Sequence, residues 1–171
     1  MIGASHRRYA PMPIAWPDIV ARLAAALVAG AAIGLNRDLH RKEAGVRTNS
    51  LVSLGAALAV IVVAPPGGEA HVDAMSRVIQ GILTGIGFLG AGVIMRDPGK
   101  RRVTGLTTAA AVWLAALLGA ACGAGAYVPV LVALVLGLIA VAGGGTFERW
   151  FRRPRAAKPP DNPPRADASL P

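Results

Sequence analysis

Five glycines, Gly81, Gly85, Gly87, Gly90 and Gly92, fall within twelve residues of an otherwise apolar run. In a soluble helix each glycine costs about 1 kcal/mol against alanine. In lipid, small residues let helix backbones approach closely, and packing drives association there. The run ends in a basic turn, Arg96 to Arg102, and a second apolar run follows. Two membrane helices joined by a charged hairpin satisfy this pattern, with the five glycines as the packing face of the first.

Composition agrees. Of 171 residues, 54% are hydrophobic and only 5% aromatic, and the mean hydropathy is +0.51. A soluble domain with so few aromatics is not this apolar. The net charge of +9 would suit a nucleic-acid partner. Here, however, the basic residues flank apolar runs. That placement is a topology signal and an attraction to anionic lipid headgroups, so no nucleic-acid partner is expected. The lone Cys122 excludes an internal disulfide and a zinc cluster; its small-residue surroundings suggest a packed core thiol.

Five apolar segments stand out, at about 19–35, 50–64, 78–95, 104–122 and 127–144. A spanning helix needs about 20 residues, with about 17–25 tolerated. The expected fold class is therefore all-α, a polytopic membrane protein with five transmembrane helices in a compact glycine-rich bundle. The first segment has a signal-peptide-like core, but Asn36-Arg-Asp-Leu-His-Arg-Lys42 follows where a cleavage site would lie, so an uncleaved helix is favoured. Three regions result: 1–17, a disordered N-terminal segment; 18–147, the transmembrane domain; and 148–171, a basic tail. From Pro154 the tail holds six prolines and no apolar run, which cannot build a core.

Orientation follows from Lys and Arg in short loops. The first loop carries Arg37, Arg41, Lys42 and Arg47, and the third carries Arg96, Lys100, Arg101 and Arg102. The second and fourth, about 65–76 and 123–126, carry none, and the tail carries six. Loops one and three and the C-terminus are thus expected in the cytoplasm and the N-terminus outside. Arg7, Arg8 and Arg77 oppose this and are outnumbered.

Gly85-Ile-Gly87-Phe-Leu-Gly90 fits G-x-G-x-x-G, but a dinucleotide site needs that motif between a strand and a helix. Inside a span it reads as packing. Small residues also recur every four positions at Ala26, Gly30 and Gly34, and at Ala111, Ala115, Gly119 and Gly123, again as packing faces. No Asp or Glu lies deep in a span, whereas cation carriers and proton relays place ionisable groups there. Glu69, His71 and Asp73 form at best a weak cation site, and Asp73 with Arg77 suits a helix-end pair. No Ser-His-Asp set or HExxH motif occurs. Neither enzymatic activity nor a cofactor or bound metal is expected.

The cytoplasmic side is richer. Arg47-Thr48-Asn49 opens the second helix and Thr104-Gly-Leu-Thr107-Thr108 opens the fourth. Helix N-termini favour anions. Asn36, Arg37, Arg96 and Asp97 end the first and third helices at the same level. The candidate functional collar is therefore Asn36, Arg37, Arg47, Thr48, Arg96, Asp97, Thr107 and Thr108. Capping plus lipid-headgroup contact is one reading; a phosphate-bearing ligand or a docked membrane protein is the other.

Gly34-Leu-Asn-Arg37, Ala44-Gly-Val-Arg-Thr48 and Leu54-Gly-Ala-Ala57 resemble the first block of the MgtC/SapB-like membrane proteins. Gly85-Ile-Gly-Phe-Leu-Gly-Ala-Gly92, Gly105-Leu-Thr-Thr-Ala109 and Trp113 resemble the second. The resemblance covers about 30–125. It implies a bacterial inner-membrane protein associated with magnesium limitation, acid stress and survival in host cells. Such proteins look like modulators of other membrane machines, including the proton-driven ATP synthase, more than like magnesium pumps. Two departures stand out: Asn36 replaces the family's usual Glu, and a Pro/Arg-rich tail stands where many members carry a soluble domain, so regulation through that domain is not expected. The leading function is non-enzymatic regulation through membrane contacts, with a homo-oligomer among the assemblies that small-residue faces allow. The alternative is a transporter or channel for a small ion such as Mg²⁺.

Overall fold

The computed structural model describes residues 16–64, 72–96 and 103–151. Within them the order is α1 (Trp16–Leu39), α2 (Val46–Val63), α3 (Val72–Val93), β1 (Met95–Arg96), β2 (Val103–Thr104), α4 (Leu106–Gly123) and α5 (Tyr127–Phe151). All five expected helices are present. Helices α1 to α4 are long and apolar enough to cross a membrane, and α5 has a shorter apolar stretch, Tyr127–Ala142. The chain is an all-α, multi-pass membrane protein.

Local chemistry sets the ends. Pro17 lies in the first turn of α1, where its missing N–H costs nothing. Asp18 in that turn and Arg37 in the last complement the helix dipole. The α1–α2 turn uses left-handed backbone at Arg41 and Ala44, and the Asp38 carboxylate accepts from the Val46 N–H at 3.0 Å to cap α2. Helix α3 begins six residues before the expected segment. The third loop contributes a two-residue antiparallel ladder, Met95 opposite Thr104 and Arg96 opposite Val103, that hydropathy gave no sign of. Helix α1 starts at Trp16 and α5 runs to Phe151, past both expected domain boundaries. The remainder of the terminal segments lies outside the described residues, as do Glu69 and His71.

The core is α1, α2 and α4, crossing through small residues. A Cβ on Gly30 would sit 2.5 Å from the Asn49 carbonyl oxygen, one on Gly34 2.5 Å from Val46 Cα, and one on Gly123 2.5 Å from the Ala57 oxygen. A Cβ on Gly119 would overlap the Ser53 backbone. These are the faces that the four-residue spacing marked. Cys122 is fully buried beside Ala26, Ala29, Ile33, Ala57 and Leu118. Ser53, also fully buried, donates to the Ala26 carbonyl at 2.7 Å.

Helix α3 differs from expectation. Met75, Val78, Ile82 and Ile86 pack on Ala56, Val60, Ala116 and Ala120, and Gly90 is the one buried residue of the helix. Among the described residues a Cβ on Gly81, Gly85, Gly87 or Gly92 would meet nothing within 4 Å, while one on Gly90 would make an ordinary 3.5 Å contact with Ala109. Four of the five glycines therefore do not pack against the described residues. The large residues of α3 make the contact and turn its small ones outward.

Candidate functional site

The collar resolves into buried and exposed parts. Arg37, on the last turn of α1, is only 3% exposed, and its Nη2 donates to the Oγ1 of Thr108, itself 5% exposed, in the first turn of α4. The buried Nε of Arg37 has no hydrogen-bond partner among the described residues. Among the described residues no carboxylate oxygen lies within 4.0 Å of this guanidinium. Asp38, its neighbour in sequence, is occupied by the α2 cap, and exposed Glu43 acts on Arg37 through space without contacting it. A cation thus lies inside the helix ends, at the positive end of the α4 dipole.

Gly105, the N-cap residue of α4, has φ +90° and no side chain with which to cap the helix. A Cβ there would run into the carbonyl of Val93. The hairpin geometry therefore forbids the Ser, Asp or Asn that usually serves the first amides of a helix. The first hydrogen bond into α4 is from Ala109 N–H to Gly105 O at 2.9 Å, so the amides of Leu106, Thr107 and Thr108 precede the helical ladder.

Asn49 is fully buried; its Nδ2 donates to the carbonyls of Ala44 and Gly45, while its Oδ1 has no partner. The buried Oδ1 of half-exposed Asn36 also lacks one.

Of the collar residues, the structure joins Arg37 with Thr108. Arg47, Thr48 and Thr107 are exposed. Arg37, and not Arg47, contacts Thr108, and Arg47 is exposed on α2. Arg96 lies on β1, and Asp97 lies outside the described residues. Asp73 and Arg77 do not form the expected pair, since no oxygen–nitrogen contact within 4.0 Å joins them.

Sequence reasoning missed the opposite end of α1. There Arg22 Nη1 donates to the Gly123 carbonyl at 2.8 Å and Nη2 to Asp18 Oδ2 at 3.0 Å. The i, i+4 spacing of Asp18 and Arg22 was a usable signal. Ser53 was also missed, for it reads as one small residue among many.

A second surface is the outward side of α3, where Arg77, Gln80, Gly81, Thr84, Gly85, Phe88 and Gly92 are exposed. Phe88 is 82% exposed, and Thr84 Oγ1 donates back to the Gln80 carbonyl at 2.8 Å.

Comparison with known proteins places these features. The MgtC family profile matches residues 23–150. The chain is 41% identical over 149 residues to Protein SrpB of Synechococcus elongatus, covering 81% of this chain and 82% of that protein. It is 41% identical over 121 residues to Protein MgtC of Salmonella typhimurium, covering 71% of this chain and 50% of that protein. An uncharacterised protein of Haemophilus influenzae is 34% identical over 142 residues, 79% of this chain and 59% of its own length. No solved structure matches.

Proposed function

This chain belongs to the MgtC family, and from that premise we propose that it is a non-enzymatic regulatory protein of the bacterial inner membrane, acting by contact with other membrane machinery. The observation that carries the reading is the outward face of α3. Among the described residues Gly81, Gly85, Gly87 and Gly92 face open space, yet each lowers the intrinsic helix stability by about 1 kcal/mol. Against lipid they gain nothing, whereas against another transmembrane helix they permit close backbone approach. Gln80 on the same face offers a carboxamide that hydrocarbon cannot satisfy and a neighbouring helix can. The partner is then a polytopic membrane protein, with the proton-driven ATP synthase the one that family resemblance implies. The setting is magnesium limitation, which the family resemblance implies.

The positions of Lys and Arg support an outer N-terminus and a cytoplasmic C-terminus, with the Arg37–Thr108 end inside.

The test uses bacteria in which this chain is the sole family member. Gly85→Leu and Gly92→Leu should accumulate in the membrane as the wild type does, because both sites are open, and should lose support of growth in limiting magnesium. Full growth of the double variant would refute the reading. Magnesium flux through liposomes holding only the purified chain would replace it with transport.

A further inference from the structure

We propose that the Arg37–Thr108 end of the bundle is a binding site for a phosphate group. The inference is independent of the α3 contact face. Three observations converge on it. Arg37 is only 3% exposed, and among the described residues its Nε is unpartnered and no carboxylate lies within 4.0 Å. Among the described residues its one side-chain hydrogen bond is to Thr108, in the first turn of α4, so the cation lies where that helix dipole is positive. The residue that would ordinarily supply a capping oxygen, the α4 N-cap, is held to glycine by its left-handed backbone and by the Val93 carbonyl.

A buried guanidinium with no carboxylate in contact is costly; the Glu43 charge and the C-terminal end of α1 offset part of that cost, while the N-terminus of α4 faces the same group. An incoming anion relieves both terms. Phosphate fits this donor set. A guanidinium edge binds two oxygens side by side, a threonine hydroxyl donates to another, and free α-helical amides are a recurring phosphate cradle. The neighbouring helix shows the contrast: the first amide of α2 is served by the chain's own Asp38 carboxylate.

Access is from the membrane surface. Leu39 and Leu106, two residues from Arg37 and Thr108 in sequence, are 74% and 58% exposed, so apolar side chains mark this end of the two helices. Phospholipid headgroups and soluble phosphate both reach that level, and the chemistry that the site recognises is common to them.

The experiment is thermal unfolding of the full chain in dodecyl maltoside. One arm adds sodium phosphate against sodium chloride at constant ionic strength. The other adds phosphatidylglycerol against diacylglycerol, which has the same tails and no phosphate. A saturable rise of roughly 5 °C in at least one arm is expected. A response to phosphatidylglycerol alone identifies the lipid headgroup; a response to sodium phosphate alone identifies soluble phosphate. No response in either arm overturns the proposal. Arg37→Gln should abolish the rise, and Arg37→Lys should keep part of it, because lysine retains charge without the planar fork. In case Arg37→Gln fails to fold, Thr108→Asp supplies the decisive measurement. It places a carboxylate beside the guanidinium and in the first helical turn, so it should melt higher than wild type without any additive and lose the phosphate response. A Thr108→Asp protein that responds like wild type would overturn the site.

Discussion

Arg22 donates from Nη1 to the backbone carbonyl of Gly123 at 2.8 Å, joining the start of α1 to the last residue of α4. Fifteen residues further along α1, Arg37 reaches Thr108, which is fifteen residues before Gly123 on α4. At 1.5 Å per residue the two ties stand about 22 Å apart, and together they fix the antiparallel register of these helices. The two arginines meet opposite electrostatics. Arg22 lies at the carbonyl end of α4, where a cation is favoured, and Arg37 at its amide end, where it is not. Arg22 is therefore a structural clamp, while Arg37 ties the same two helices at the end where the phosphate proposal applies.

The clamp predicts graded losses. Arg22→Gln should lower stability by about 1–2 kcal/mol, since it removes a charge-assisted bond to a helix-terminal carbonyl. Asp18→Asn should cost less than about 1 kcal/mol, because the Asp18 side chain is 40% exposed and solvent screens the pair. Melting of both variants in detergent measures the difference. Equal losses would mean that the ion pair, and not the Gly123 bond, carries the contact.

Orientation is open to direct labelling. In a Cys122→Ala background, which removes a buried thiol, a cysteine at exposed Ala124 should react with a membrane-impermeant maleimide in intact cells. A cysteine at exposed Lys42 should react only after lysis. These positions sit at opposite ends of the bundle, in a loop without Lys or Arg and in one rich in them. The reverse labelling pattern would invert the topology.

Hydropathy and small-residue spacing made the helices and their core legible. Gly30, Gly34, Gly119 and Gly123 recur on one face, and they are where backbones meet. The third helix misled because glycine density says that a backbone can be approached, not by which chain. Its larger residues Ile82 and Ile86 claimed the intramolecular contact. The collar was legible as a level in the bundle and not as a site. That Arg37 and not Arg47 faces Thr108 depends on the angular position of each residue on its helix. The turn between them, with left-handed Arg41 and Ala44, sets that relation and left no mark in composition.

Gly105 should be intolerant of substitution. Its φ of +90° strains any L-residue, and an added Cβ meets the Val93 carbonyl. Gly105→Ala should therefore cost at least about 1–3 kcal/mol. The hairpin and the first turn of α4 would shift together, so the Arg37–Thr108 contact should loosen with them. A drop in melting temperature together with faster amide exchange at Ala109 to Val112, the first amides bonded into the α4 ladder, is expected. Unchanged exchange there would show that the hairpin does not hold the start of α4.

The last prediction sets two groups of glycines against each other. Gly30→Leu and Gly119→Leu insert side chains where backbone already stands, at the Asn49 and Ser53 carbonyls. Backbone cannot swing aside as a side-chain tip can, so α1 or α4 must separate from α2, and overpacking costs of about 1–3 kcal/mol are a lower bound. Gly81→Leu adds the same bulk on the outer face of α3, where nothing lies within 4 Å. It also replaces a poor helix former with a good one, so stability should hold or rise by up to about 1 kcal/mol. Membrane accumulation and melting in detergent separate the groups. A purified chain in which Gly81→Leu melts as low as Gly119→Leu would place α3 against a neighbour even in detergent, and would make its glycine face part of a stable assembly.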